Sequence, residues 1–251
     1  MSTVLVLQPA ADDPLGPMQD WLVEAGADLR LVRPFAGEPV PADLAGVGAL
    51  VCLGGAMGAA DDAEHPWLAD VRALLGAAVR TGTPVLGICL GAQLLALATG
   101  GDVRRMPDGP EAGLRLVAKR DAAAADPLLA TLPFTPDVLQ FHADEVHRLP
   151  ADATLLVAGQ RCPNQAYRVG ATAWGLQFHI ETTPELVRRW MTENPETAAT
   201  MPPAQHQPGV LEDGHADLAE TWRPIVATFV GIADAHRPKS TRIDLPLLGE
   251  S

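Results

Sequence analysis

Basic residues are scarce in this chain: 18 Lys and Arg stand against 31 Asp and Glu, a formal charge of −13 over 251 residues. A nucleic-acid partner wants a basic patch, so that class is set aside. Long apolar runs are missing too, and no stretch reaches the length that spans a bilayer. The first residues, Met1-Ser2-Thr3-Val4-Leu5-Val6-Leu7, lack the basic opening of a signal peptide and read as a first β-strand. Cysteine is rare: Cys52, Cys89 and Cys162 are odd in number and form no C-x-x-C. That argues against a disulfide framework or a zinc site and suggests a reducing, cytoplasmic setting. His65, His147, His206, His215 and His236 share no spacing with acidic or cysteine partners, so no metal or other cofactor is expected. There is no internal repeat.

What the chain does have is a globular composition, 47% apolar and 20% charged. Its first hundred residues alternate strand and helix. Thr3 to Leu7, Asp28 to Val32 and Ala49 to Leu53 read as strands; Met18 to Ala25 and Trp67 to Arg80 read as helices. This rhythm predicts an α/β fold, a mostly parallel sheet with helices on both faces. Beyond it, Leu114–Val117, Val138–Phe141, Thr154–Val157, Gln165–Val169 and Ala171–Phe178 read as an antiparallel set beside or extending that sheet. A helix follows from Pro184, capped by Thr182 or Thr183. Asn194 to Gly214, with four prolines, reads as a loop, and Ala216 to Ala235 as a helix with Pro224 inside it. The tail from Pro238 reads as irregular. One domain over 1–251 is expected, with a core of 1–193 and a C-terminal extension of 194–251.

The segment Pro84 to Gln93 organises the rest. An apolar strand runs into Gly87-Ile88-Cys89-Leu90-Gly91 and then into a helix. Small neighbours allow the tight strand-to-helix turn that presents a nucleophile, the cysteine counterpart of G-x-S-x-G. The turn also sets Cys89 at a helix N-terminus, where positive potential favours a thiolate. Such a nucleophile needs a base and an orienting group. His179 ends an apolar strand, and Glu181, two residues on, points to the same side in extended geometry. Oxyanion donors are expected from the N–H of Leu90 and of Gly55, in the Gly54–Gly58 turn after the third strand. Cys52 reads as a buried inert thiol and Cys162, in a polar loop, as an ordinary surface thiol.

Four segments in order carry a resemblance: Leu53–Gly58, Gly87–Gln93, Phe141–Val146 and Gly175–Glu181. Together they resemble the class I, triad-type glutamine amidotransferases, most closely stand-alone proteins similar to the glutaminase domain of GMP synthetase. The resemblance implies a flavodoxin-like sheet and attack of Cys89 on the side-chain amide of glutamine. His179 would protonate the departing ammonia, and water would hydrolyse the γ-glutamyl thioester. It further implies substrate contacts at Gln93, His142, Ala143 and Asp144. Three positions depart from the family pattern: Ala56 and Ile180 replace prolines, and Ala143 replaces a glycine. No synthetase domain follows in the sequence, so a separate synthetase or other ammonia acceptor is the expected partner. A hydrolase of γ-glutamyl peptides or amides stays open as a second reading, and a non-catalytic regulatory module as a third.

Overall fold

Strand and helix alternate in the computed structural model, which describes residues 1–236, as the periodicity predicts. The order is β1 (Thr3–Leu7), α1 (Met18–Glu24), β2 (Asp28–Val32), β3 (Ala49–Cys52), α2 (Trp67–Thr81), β4 (Val85–Ile88) and α3 (Leu90–Ala98). There follow β5 (Asp102–Arg105), β6 (Glu111–Leu116), β7 (Ala118–Lys119), β8 (Asp137–His142), β9 (Asp144–Arg148), β10 (Ala153–Ala158), β11 (Ala166–Val169) and β12 (Ala173–Leu176). Three helices close the described part: α4 (Pro184–Glu193), α5 (Pro195–Ala198) and α6 (Val210–His236).

The main sheet has the order β2-β1-β3-β4-β12-β11-β10-β7. It is parallel from β2 to β12, and β11, β10 and β7 extend it antiparallel. Side chains alternate across its strands, so each face builds its own core. Val4, Val6 and Val51 pack on one face with Met18, Leu22, Trp222 and Phe229. Leu5, Leu7 and Leu50 pack on the other with Leu68, Leu75, Leu94 and Leu95. The sheet is therefore covered twice, which is why β1, β3 and β4 are nearly all apolar. Helix α2 stops where Gly82 takes a left-handed conformation, φ 74°. Helix α4 starts where Oγ1 of Thr183 accepts from the N–H of Leu186 at 3.2 Å.

Two expectations change. The antiparallel strands do not all join the main sheet: β6 pairs with β8, and β5 with β9, as separate two-stranded ribbons. Strands β5, β7 and β9 carry charged, half-exposed residues that hide the period-two signal. The stretch from Asn194 to Gly214 is not one loop. It holds α5, a 3-10 turn over Pro203–His206 and the first turn of α6, which begins at Val210 instead of Ala216. Gly214 sits within the helix despite its poor propensity because a Cβ there would lie 2.2 Å from Cδ1 of Leu114. The tail from Pro238 lies outside the described residues.

Candidate active site

Four neighbouring strands end on the same side of the sheet, and each delivers part of one cleft. After β4 comes Cys89, whose φ of 49° and ψ of −107° make it the one described non-glycine residue with positive φ. Such a conformation is strained for a side-chain-bearing residue and is kept where a function requires it. Its N–H donates to the carbonyl of Leu176, at the end of β12, at 2.7 Å. The turn is tight enough to exclude side chains on either side. A Cβ on Gly87 would lie 2.6 Å from the carbonyl oxygen of Gly91, and one on Gly91 would lie 2.0 Å from that of Cys52. These contacts are the physical reason for the G-x-C-x-G spacing.

His179 lies three residues beyond β12. It is anchored by a bridge to Leu139, with its N–H donating to the Leu139 carbonyl at 2.8 Å. Its Nδ1 is 2.7 Å from Oε1 of Glu181, and Oε2 of that carboxylate accepts from the N–H of Ile180 at 2.8 Å. The side chains of Cys89, His179 and Glu181 are all buried. Burial drives the imidazole toward neutrality, but the Glu181 carboxylate and the sulfur of Cys89, which hydrogen-bonds the ring, outweigh it. The ring is held well above the ordinary histidine value. The sulfur, imidazole and carboxylate expected from sequence therefore meet in one place.

After β3 the chain turns through Gly54 and Gly55. Gly55 lies against Leu90, whose Cδ2 would be 2.8 Å from an added Cβ. Among the described residues, no acceptor takes the N–H of Gly55 or of Leu90. The cleft, about 180 Å³, is lined by Gly55, Cys89, Gln93, His142, Ala143, Asp144 and His179, among others. Gln93 is buried, and its amide donates to the carbonyl of Asp144 at 3.2 Å and to Oε1 of Gln177 at 3.3 Å. His142 is tied at Nδ1 to the Asp144 carbonyl, 2.9 Å, and at Nε2 to Oε1 of Gln140, 3.0 Å. Gln93 and His142 thus converge on the carbonyl of Asp144 and brace that wall of the cleft.

A family profile described as glutamine amidotransferase class-I matches residues 22–195. The chain belongs to that family. The glutamine amidotransferase-like protein YfeJ of Salmonella typhimurium is 31% identical over 175 residues, covering 68% of this chain and 72% of the relative. A GMP synthase (glutamine-hydrolyzing) of Christiangramia forsetii is 30% identical over 157 residues, covering 62% of this chain and only 29% of the synthase. The crystal structure of a glutamine amidotransferase from Thermotoga maritima superposes with a TM-score of 0.79 at 27% identity, covering 93% of this chain and 98% of the other. One from Methylobacillus flagellatus gives 0.78 at 28% identity, covering 94% and 95%. The protein is an enzyme of the class-I amidotransferase family with the family's α/β fold. No helix among the described residues is long and apolar enough to cross a membrane.

Three residues of this family member's cleft escaped the sequence reading. Gln177 donates toward Sγ of Cys89 at 3.8 Å. It lies two residues before His179, so the period-two pattern could have found it. Trp190, on α4, sets its ring 4.9 Å from that of His179 and donates Nε1–H to the carbonyl of Asp12 at 3.0 Å. Asp13 comes from the loop after β1 and is buried in the cleft wall. Ligand atoms of Asp13, His179 and Glu181 lie within 4.8 Å of one another. Nδ1 of His179 and Glu181 already satisfy each other, so a shared proton describes this group better than a metal site. Cys162 corrects an expectation: it is fully buried, and burial pushes its thiol up to about 12, as it does that of Cys52. The loop folds inward because Asn164 donates to the carbonyl of Val146 at 2.8 Å.

Proposed function

We propose that this enzyme hydrolyses the side-chain amide of glutamine through Cys89, His179 and Glu181, releasing ammonia for an acceptor. The observation that carries this reading is the strained, helix-capping Cys89 hydrogen-bonded to an imidazole whose other nitrogen is fixed by a buried carboxylate. The Cys89 thiolate attacks the amide carbon, and the carbonyl π-pair moves onto oxygen. The N–H groups of Leu90 and Gly55 stabilise that oxyanion, a contribution of roughly two to three orders of magnitude per donor in other enzymes. Collapse of the intermediate breaks the C–N bond, and the imidazolium of His179 supplies the proton with which ammonia leaves. His179 then takes a proton from water, which attacks the γ-glutamyl thioester and returns glutamate and the thiolate.

Glu181 keeps the proton on Nδ1, so that Nε2 faces the sulfur. Gln93, His142, Ala143 and Asp144 form the wall against which the substrate's α-carbon end rests. The nitrogen acceptor belongs to a separate protein in this reading. Support comes from the similarity to GMP synthases, of which the chain matches less than a third of the length, and to a glutamine-hydrolyzing GMP synthase subunit of Methanospirillum hungatei.

The test is ammonia release from glutamine and from γ-glutamyl amides by the wild type, Cys89→Ala and His179→Asn. Release from glutamine that both substitutions abolish supports the reading. Turnover of γ-glutamyl amides with none from glutamine, alone or with a synthetase present, would favour the hydrolase alternative. No turnover of either would remove both.

A further inference from the structure

Asp13 is the buried carboxyl for which the triad has no use. It is 6% exposed, and among the described residues its side chain makes no hydrogen bond. A carboxyl withdrawn from water without a partner is costly, so its placement needs a reason. The loop that carries it is fixed on both sides. The carbonyl of Asp12 accepts from Trp190 Nε1 at 3.0 Å and from Arg189 at 3.3 Å. Gly16 lies so close to Glu181 that a Cβ would come within 2.0 Å of its carbonyl oxygen.

The carboxyl lies on the Cε1 side of His179. The space over the Cα of Gly54 is shared between them: an added Cβ would be 2.9 Å from Oδ1 of Asp13 and 3.2 Å from Cε1 of His179. We propose that Asp13 is a positioning residue, a second carboxylate at the Cε1 edge of His179 that favours the imidazolium and so the charge-separated Cys89–His179 pair. This rests on Cys89 being the nucleophile. An imidazolium spreads its charge over Nδ1, Cε1 and Nε2. Glu181 serves the first of these atoms, Cys89 the last, and Asp13 the carbon between them.

The charged groups that act on Asp13 come from every side of the loop. His179 and Glu181 face it from the segment after β12, Arg189 from α4 and Asp12 from its own loop. Burial is the largest influence and raises its pKa; His179 and Arg189 oppose the rise, and Glu181 and Asp12 add to it. The result is about 7, so the carboxyl changes charge within the working range of an enzyme.

The test is the rate at which iodoacetamide alkylates Cys89, read by peptide mass spectrometry across pH, with no substrate present. Wild type is expected to show a rise in rate near pH 7 that Asp13→Asn lacks, leaving the variant about tenfold slower at pH 8, the effect of one unit of stabilisation. The kcat for glutamine is expected to fall with KM little changed. Asp13→Glu keeps the charge and is expected to keep the rise; its loss in a folded Asp13→Glu protein overturns the proposal. An Asp13→Asn profile that superposes on wild type overturns it as well. So does a raised KM with unchanged alkylation, which would make Asp13 a contact for the substrate's ammonium group. The nucleophile reading fails separately, if wild-type Cys89 alkylates no faster than a free thiol at neutral pH.

Discussion

Glu181 holds His179 by a 2.7 Å contact to Nδ1 while its other oxygen is occupied by the backbone N–H of Ile180, so neither the carboxylate nor the ring can turn freely. That restraint sets the tautomer. Glu181→Gln puts a weaker, uncharged partner there. It is expected to fold and to lose activity by on the order of 10³-fold in kcat, with KM within a few-fold of wild type. Steady-state kinetics beside thermal unfolding check this. Equal losses in stability and activity would make Glu181 a structural residue.

The pKa of Asp13 also makes a stability claim with a definite sign. It rises from the ordinary aspartate value of 3.8 to about 7 in the fold. Between these values the native state holds a proton that the unfolded chain has released. Stability from this group is therefore full below about pH 4 and falls as pH rises to 7. Asp13→Asn removes the penalty. It is expected to be more stable than wild type at pH 8, on the order of a few kcal/mol, and to show no such gain at pH 4. Urea unfolding at the two pH values measures it. A variant less stable at pH 8 would mean that the ionised carboxyl is a structural asset.

At Gly91 the constraint is space. A methyl there would overlap the carbonyl oxygen of Cys52, backbone in the centre of a sheet that cannot give way. Gly91→Ala is expected to cost about 3 kcal/mol or more and to lower Tm markedly. A variant as stable as wild type would show that the elbow is looser than described.

Trp190 joins α4 to the cleft in two ways, by its ring against His179 and by its N–H on the carbonyl of Asp12. Trp190→Phe keeps a ring and loses the donor, and is expected to cost about 1–3 kcal/mol with a mild effect on kcat. Trp190→Ala also uncovers the imidazole and is expected to lose far more activity than the phenylalanine variant. Equal activity of the two would show that the ring does nothing for His179.

Much of this was legible in the residues themselves. The strands from Thr3 to Ile88 are continuous apolar runs, because both faces of the sheet are covered, and glycines such as Gly82 punctuate them. Cys89 shows itself by the glycines that its turn needs, and Glu181 by its two-residue spacing from His179. The ribbons were hidden because Asp102–Arg105 and Asp144–Arg148 are only half covered and carry charge where a buried strand would carry Val or Ile. Asp13 and Trp190 were hidden for another reason. They reach His179 from a loop and a helix that only tertiary packing brings to the end of β12, and no local spacing announces that. Cys162 misled because its neighbours Arg161, Pro163 and Asn164 look like surface, although Asn164 spends its amide on pulling the loop inward.

The central claim is that the sulfur of Cys89 forms a bond to the substrate's amide carbon. Intact mass spectrometry and peptide mapping after rapid acid quenching in the presence of glutamine, repeated with a glutamine chloroketone, test it most directly. The expected result is a γ-glutamyl mass on the peptide containing Cys89, permanent labelling of the same peptide by the chloroketone, and neither in Cys89→Ala. Turnover of glutamine with Cys89 unmodified, or turnover that survives in Cys89→Ala, would contradict it.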